Sequence, residues 1–143
     1  YCIRGKFDFA IPDFNKALEL KPDYFDARFN RGIAYTQTNE FEKAIADFDY
    51  LEKDNKEDAR IFMCRGRAFS LSKRYDEALN NFNRAIELNP EYPEAWYNRA
   101  SANYNKGRYK EAYSDVMEAA NQGYKVEQNF FETIKQAAEK NPQ

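Results

Sequence analysis

Apolar residues recur along the chain in short groups whose spacing fits one face of an α-helix. Ala78, Phe82 and Ala85, for example, stand at positions i, i+4 and i+7, and polar residues fill most of the positions between them. Short segments containing Gly, Asn or Pro separate many of the groups and are typical of turns. The pattern predicts helices over the ranges 8–20, 25–38, 40–54, 58–71, 75–88, 93–106, 109–121 and 126–140.

The same apolar positions return along the chain with a step of 34 residues. The step is marked by four alanines, Ala10, Ala44, Ala78 and Ala112. Four residues after each alanine comes a large apolar residue, namely Phe14, Phe48, Phe82 or Val116. Small residues keep the same step near the start of each unit, at Gly32, Gly66 and Ala100. Copies in one register indicate repeated pairs of helices, each pair too small to bury its apolar face alone.

These residues resemble the tetratricopeptide repeat, whose 34-residue pattern contains Trp, Leu-Gly, Tyr, Ala, Phe, Ala and Pro at fixed positions. Residues 96–119 match best and residues 59–92 nearly as well, whereas residues 25–58 have Arg28 at the Trp position and Lys56 at the Pro position. The resemblance implies an all-α fold, a right-handed superhelical solenoid of antiparallel helix pairs with about three full repeats, a half repeat and a C-terminal capping helix.

The resemblance treats residues 1–143 as a single domain and divides it into consecutive segments. They are a partial repeat at 1–24, repeats at 25–58, 59–92 and 93–123, and a capping helix at 124–143. We expect residues 1–4 to be the end of a front helix, the first helix of a pair. Pro12 interrupts the first predicted helix, so we expect this helix to start near Asp8 or to bend there.

The last segment departs from the repeat. Val126, Phe130 and Ile134 lie on one face of a single predicted helix, and many of the remaining positions are polar. A solenoid needs a terminal element with a polar outer face. We therefore interpret this helix as an end cap, with a partner-binding helix as the alternative.

Composition narrows the range of functions. A formal net charge of −2 provides no basic field for nucleic acid or for an anionic membrane surface, and we expect neither as a partner. The chain has no histidine and two widely separated cysteines, Cys2 and Cys64, so we expect a reducing, cytoplasmic location and neither metal nor cofactor. No glycine-rich phosphate loop and no nucleophile beside a base occurs, so we expect no enzyme within these residues. The first residue is not methionine, and the chain can therefore be a fragment.

Members of the family bind a partner segment on the concave surface that their front helices form. The resemblance carries this groove over to Asn30, Ile33, Gln37, Arg60, Cys64, Arg67, Leu71, Tyr97, Asn98, Ser101 and Asn105. It implies a non-catalytic protein-interaction scaffold, an adaptor that binds a peptide or helix of another protein. One family variant, a clamp for the C-terminal Glu-Glu-Val-Asp of chaperones, is incomplete here, because no full unit after Asn98 supplies its final Lys and Arg.

Two other functions stay open at this point. The chain can be a regulatory or substrate-recruiting domain of a larger enzyme. It can also be a structural solenoid that forms homo-oligomers through its exposed ends, where Phe7 and Phe14 are apolar.

Three arginines directly precede the small residues of their units, at Arg31, Arg65 and Arg99. One interpretation is a row of cations that grips an acidic peptide. The other is that each arginine pairs with an aspartate of a neighbouring second helix, in its own unit or in the preceding one. The candidate residues repeat with the same step and are Asp13, Asp47, Asn81 and Asp115. We favour the second interpretation, because partly buried arginine–carboxylate pairs suit a seam between helices.

Overall fold

The computed structural model describes the backbone of residues 2–141 and the side chains of residues 5–141. All of the regular secondary structure within these residues is α-helical. The helices are α1 (Cys2–Leu20), α2 (Phe25–Gln37), α3 (Phe41–Glu52), α4 (Ala59–Leu71), α5 (Tyr75–Leu88), α6 (Pro93–Asn105), α7 (Tyr109–Asn121) and α8 (Gln128–Lys140). From α2 onward, every helix begins and ends within two residues of its predicted bounds.

The helices form a right-handed superhelical solenoid, as predicted. The front helices α2, α4 and α6 each pack against the second helix of their own pair, α3, α5 and α7. Each front helix also packs against the second helix that precedes it, and α2 touches α4 as α4 touches α6. Because contacts join only near neighbours along the sequence, one layer of front helices lies beside one layer of second helices.

Two expectations about the first helix are wrong. α1 begins at Cys2 rather than near Asp8, and residues 2–4 belong to it instead of ending a separate front helix. Tyr1 lies outside the described residues. At the positions in step with Gly5, the chain turns between the helices of a pair with positive φ, 65° at Asn39, 62° at Lys73 and 76° at Gly107. Gly5 instead lies within the helical backbone of α1.

Pro12 lies inside α1, where it removes one backbone hydrogen bond to the carbonyl of Asp8. Both residues are exposed, so water can bind the carbonyl that loses its partner. α1 therefore continues through Pro12, although a proline inside a buried helix usually interrupts it.

C-terminal capping follows the prediction. Ile134 of α8 is fully buried and joins a cluster with Ala100, Ala112 and Val116 of the last helix pair. The partly buried rings of Phe130 and Phe131 pack around the same cluster. α8 thereby covers the apolar face that α6 and α7 would otherwise leave open to water. The last two residues of the predicted capping segment lie outside the described residues.

In the pairs α2–α3 and α4–α5, the spacing between the helices depends on a glycine opposite a phenyl ring. A Cβ atom added at Gly32 would lie 2.8 Å from Cζ of Phe48, and one added at Gly66 would lie 2.6 Å from Cε1 of Phe82. Both rings are fully buried, so they have little room to move. In the last pair, Ala100 takes the glycine position and the smaller Val116 takes the ring position.

We expect Gly66→Ala to lower the free energy of unfolding by about 1–3 kcal/mol, because its methyl group must displace the Phe82 ring. Gly5→Ala is the matched control. It adds a methyl group inside α1 where nothing lies within 4 Å, and it should stabilise by about 0.5–1 kcal/mol. Urea unfolding followed by circular dichroism measures both.

A double variant tests whether the two positions are coupled. Gly66→Ala with Phe82→Val copies the last pair and should lose less stability than the sum of its single variants. Additive losses, or a harmless Gly66→Ala, would contradict this account of the spacing.

Candidate functional site

The predicted groove residues all lie on the front helices α2, α4 and α6. We call the surface that these residues form the front-helix face. Three positions of the repeat supply most of it. The first holds Asn30, Cys64 and Asn98, the second Ile33, Arg67 and Ser101, and the third Gln37, Leu71 and Asn105. Since the three helices are neighbours, the face runs across the solenoid from one unit to the next.

The centre of the front-helix face is where α2 meets α4. Ile33, Gln37, Cys64 and Arg67 meet there around a cleft of about 10 Å³, which Thr36 also lines. A cleft of that size holds about one water molecule. This part of the face is therefore a continuous surface suited to a chain lying across it, rather than a pocket for a small molecule.

Other predicted groove residues line larger cavities at the margins of the front-helix face. Asn30 and Ile33 line a cavity of about 420 Å³ together with residues of α1. Arg60 lines a separate one of about 750 Å³ next to the segment 53–59. The structure thus does not gather all the predicted residues around one pocket.

Asparagine side chains on the face are held in place by their own helices. The amide group of Asn30 donates to the carbonyl of Asp26 at 2.8 Å, and that of Asn98 donates to the carbonyl of Glu94 at 2.7 Å. Asn105 binds the carbonyl of Ser101 in the same way at 2.8 Å. Each amide keeps its oxygen as an acceptor, which suits the backbone N–H groups of a bound chain.

Tyr97 has a packing role that the repeat pattern does not indicate. Its ring lies 4.7 Å from that of Tyr124 and 5.3 Å from that of Phe130, so it ties α6 to the C-terminal segment. Burial raises the pKa of its hydroxyl. Most of the ring is therefore engaged within the protein, and a partner would meet only its remaining exposed part.

Arg60 and Arg67, both on α4, differ in how their charges are satisfied. Arg60 donates to Asp58 from Nε at 3.0 Å and from Nη2 at 2.6 Å, and its guanidinium lies over the rings of Phe25 and Phe29. Arg67 is half-buried at the central cleft, and no ion pair within the described part of the chain involves it. Arg67 is thus a cation of the face whose carboxylate partner the described residues do not supply.

Cys64 is a buried thiol rather than a nucleophile. Burial raises its pKa to about 11, although the nearby guanidinium groups of Arg67 and Arg60 pull it in the opposite direction. A thiol with this pKa is neutral near pH 7, and the thiolate is the reactive form. The residue therefore packs between α2 and α4 and shows no feature of a catalytic cysteine.

We expect Cys64 to react with a thiol reagent at pH 8 at least tenfold more slowly in the folded protein than in urea. The variant Cys2→Ser isolates its signal. Between pH 9 and pH 11 the thiol ionises first in the unfolded chain, because the folded pKa is the higher one, so stability should fall as the pH rises through this range. Equal labelling rates in the folded and unfolded protein at pH 8 would contradict the burial.

The arginines at the small-residue positions form bridges between second helices. Arg31 and Arg99 pair with the predicted Asp47 and Asp115, which confirms the favoured interpretation at these two positions. Arg31 donates to Asp47 of its own pair from Nε at 2.8 Å and from Nη2 at 2.6 Å, and to Asn15 of α1 at 2.8 Å. Asp47 is buried, and its carboxylate raises the pKa of Arg31. One guanidinium thus joins α2 to the second helices on both sides.

The bridge repeats at the other two positions with one difference. Arg99 binds Asp115 at 2.9 and 2.7 Å and Asn83 at 2.8 Å. Arg65 instead meets the neutral Asn81 in its own pair, at 2.8 Å, and takes its carboxylates from the preceding helix α3. Those carboxylates belong to Asp49, at 2.7 Å, and Glu52. The ion pairs of Arg65 therefore join two units, whereas those of Arg31 and Arg99 lie within one helix pair.

We expect Asp47→Ala to lower the free energy of unfolding by about 3–5 kcal/mol, because it leaves the part-buried guanidinium of Arg31 without its bidentate partner. Asp47→Asn should cost less, since Asn81 shows that an amide can accept the same bond. Thermal and urea unfolding measure both. An unchanged melting curve for Asp47→Ala would overturn the structural interpretation of the arginines.

Sequence reasoning missed the part of the site that lies on α1. Lys6, Phe7, Ala10 and Phe14 form one wall of the cavity of about 420 Å³, opposite Asn30 and Ile33. The signal was present, because these positions are in step with the second helices of the other pairs. Only the structure shows that they border the front-helix face.

A sequence model described as the TPR repeat matches residues 1–39 and 66–107. The chain is 30% identical over 125 residues to the TPR repeat-containing protein MJ1428 of Methanocaldococcus jannaschii, covering 80% of this chain and 22% of that protein. It is also 30% identical over 94 residues to the peroxisomal targeting signal receptor of Candida glabrata, covering 66% of this chain and 16% of the receptor. The chain thus spans about a fifth of these relatives.

Among solved structures, the first TPR of Spaghetti (RPAP3), bound to the HSP90 peptide SRMEEVD, superposes with a TM-score of 0.76. The two chains are 20% identical, and the match covers 80% of this chain and 93% of the other, which shows a shared fold. Across residues 2–141, no helix is both long enough and apolar enough to span a bilayer.

Proposed function

Because the chain belongs to the tetratricopeptide-repeat family, we propose that it is a non-catalytic protein-interaction module whose front-helix face binds a segment of a partner protein. Arg67 is the observation that carries this proposal. The segment lies across α2, α4 and α6 and places an acidic side chain or a C-terminal carboxylate against Arg67.

Arg67 is suited to this role by its surroundings. Its guanidinium is half-buried beside Ile33, Gln37 and Cys64. In such partly desolvated surroundings a carboxylate can form two parallel hydrogen bonds with the guanidinium, which are stronger than bonds between neutral groups. Arg60 is a weaker candidate because Asp58 already occupies its Nε and Nη2 groups.

Amide groups on either side of Arg67 support an extended segment. Asn30 and Asn98 occupy the same position of the repeat on α2 and α6, and each is fixed by a bond to its own helix. Their free amide oxygens can accept N–H groups of a bound backbone without first losing rotamer freedom. A chain held at both ends by these amides would pass over the central cleft next to Arg67.

The relatives support a protein partner without identifying it. The Spaghetti TPR was solved with an HSP90 peptide, and another relative is a receptor for a targeting signal. The chaperone clamp of the family is not the arrangement we propose here. If Asn30 were its middle asparagine, its final cations would fall at Arg60, which is paired, and at Cys64, which is neutral. The activity of a longer protein containing this chain stays open.

The test is a peptide array that varies the number and position of acidic residues and includes free and amidated C-termini. We expect captured peptides to share a carboxylate, and Arg67→Glu to weaken their binding at least tenfold in fluorescence anisotropy. Asn98→Ala should weaken it about three- to tenfold, since it removes one hydrogen bond of about 1 kcal/mol. Affinity should fall with added salt.

Arg84→Glu is the matched control, because it makes the same charge change on an exposed side chain of the second helix α5, away from the face. It should leave peptide affinity unchanged, and all variants should melt at similar temperatures. Equal binding by wild type and Arg67→Glu, or capture of peptides without regard to carboxylates, would overturn the proposal.

A further inference from the structure

A cavity of about 330 Å³ lies where α5, α6 and α7 meet, and none of the described residues that line it belongs to the front-helix face. Its floor contains the buried residues Leu79, Asn103 and Asp115. Its rim contains the exposed residues Arg108 and Glu111. The cavity is therefore open to solvent next to α7, and complete helix pairs form its walls.

The two preceding units hold an aromatic ring at the position of Asn103. Tyr35 and Phe69 are in step with Asn103, and both are buried. A cation lies over each ring, and Nζ of Lys43 is 5.4 Å from the centre of the Tyr35 ring. The guanidinium carbon of Arg74 is 4.6 Å from the centre of the Phe69 ring, within the range of a favourable cation–π contact. In both units the repeat thus places a ring beneath a cation.

The last unit keeps the cation of this arrangement without its ring. Arg108 is in step with Arg74. Glu111 is likewise in step with Glu77, which accepts a hydrogen bond from Nε of Arg74 at 3.0 Å. Neither an ion pair nor a cation–ring contact among the described residues involves Arg108. Arg108 therefore lines the cavity as a cation with no ring to cover.

The fold does not fill this cavity with a ring of its own. Tyr104 follows Asn103, but its ring packs on that of Tyr109, with 5.4 Å between the ring centres, and it does not line the cavity. Asn103 is smaller than Tyr or Phe, and its amide donates to Asp115 at 3.1 Å within the floor. The cavity volume of about 330 Å³ exceeds the roughly 150 Å³ in which a benzene ring binds. A ring from outside the fold can therefore enter.

We propose that this cavity binds an aromatic side chain, phenylalanine or tyrosine, of a partner protein. The ring lies beneath Arg108 as Phe69 lies beneath Arg74. Glu111 then holds the guanidinium of Arg108 over the ring, as Glu77 holds that of Arg74. The site lies outside the front-helix face and does not depend on the function proposed for that face.

A side chain of a protein suits the cavity better than a free aromatic compound. The exposed rim also contains Asn83 and Ser114, whose polar groups can bind the peptide groups on either side of the inserted residue. A free compound with a single ring lacks those peptide groups, and its few atoms limit its affinity. The rim thus favours a ring that is attached to a polypeptide.

The probes are the blocked peptide acetyl-Gly-Phe-Gly-amide and its cyclohexylalanine analogue, titrated into the isotopically labelled chain and followed by NMR. We expect the phenylalanine peptide to shift the amide signals of Asn103, Arg108 and Ser114. The analogue is apolar as well but has no π face for Arg108, so it should bind about threefold more weakly. Equal or tighter binding by the analogue would overturn the arrangement of ring and cation.

Variants of the cavity locate the binding. Arg108→Gln should weaken binding of the phenylalanine peptide about threefold. Arg84→Gln, at an exposed arginine of α5 that does not line the cavity, should leave it unchanged. Asn103→Phe copies Phe69 and should abolish binding by filling the cavity. Because it also removes a buried hydrogen bond, Ser114→Trp is the second blocking variant, placed at the exposed rim, and it should abolish binding at an unchanged melting temperature.

Carboxylate peptides separate this proposal from the function proposed above. Arg67→Glu should leave binding of the phenylalanine peptide unchanged, and Ser114→Trp should leave binding of carboxylate peptides unchanged. The absence of shifts at the cavity, or undiminished binding in the folded Ser114→Trp variant, would overturn the proposal. Binding of free p-cresol without binding of the blocked peptide would also overturn it, because that result assigns the cavity to a small molecule.

Discussion

The architecture depends on how closely the two helices of each pair can approach. A glycine on the front helix and a phenyl ring on the second helix meet where the helices cross, at Gly32 with Phe48 and at Gly66 with Phe82. A larger residue at the glycine would separate the helices and leave the ring in a void, so neither residue can be chosen without the other. The repeat step keeps the two in register, and the next pair then stacks on the surface that this crossing creates.

The same contact decides which surface is available for binding. Each front helix uses one side for its own second helix and another for the preceding one. The small residue and the arginine of each front helix lie in these two interfaces. Arg31 and Arg99 bind buried aspartates there. The side that remains carries amides, aliphatic groups and Arg67. Two sides of each front helix thus stabilise the fold, and the remaining side is the one that our proposal assigns to recognition.

Most of the fold could be predicted from sequence because each repeat constrains its neighbours. Helices α2 to α7 could be placed within two residues, since apolar spacing and repeat step point to the same bounds, and α8, which lies outside the repeat, could be placed from its apolar spacing alone. The start of α1 could not be, because the repeat register and Pro12 both indicate a later start, whereas the helix runs from Cys2 through both Gly5 and Pro12. The candidate site was predicted less well, as the fate of a polar side chain depends on contacts across units. Tyr97 packs on Phe130, which lies outside the repeat, and nothing in the pattern indicates that Arg60 is paired while Arg67 is not.

The arginine bridges also determine how the solenoid responds to load. Within a pair, Arg31 and Arg99 bind carboxylates that are almost fully buried, but their bonds to the previous unit reach Asn15 and Asn83, which are more accessible to water. Hydrogen bonds in contact with solvent exchange with water at small cost, whereas buried ones do not. At Arg31 and Arg99 the bonds to the previous unit are therefore easier to replace by water than the bonds within the pair, whereas Arg65 joins its unit to the previous one through two carboxylates. We therefore expect the superhelix to bend more readily where α2 meets α1 and where α6 meets α5 than where α4 meets α3.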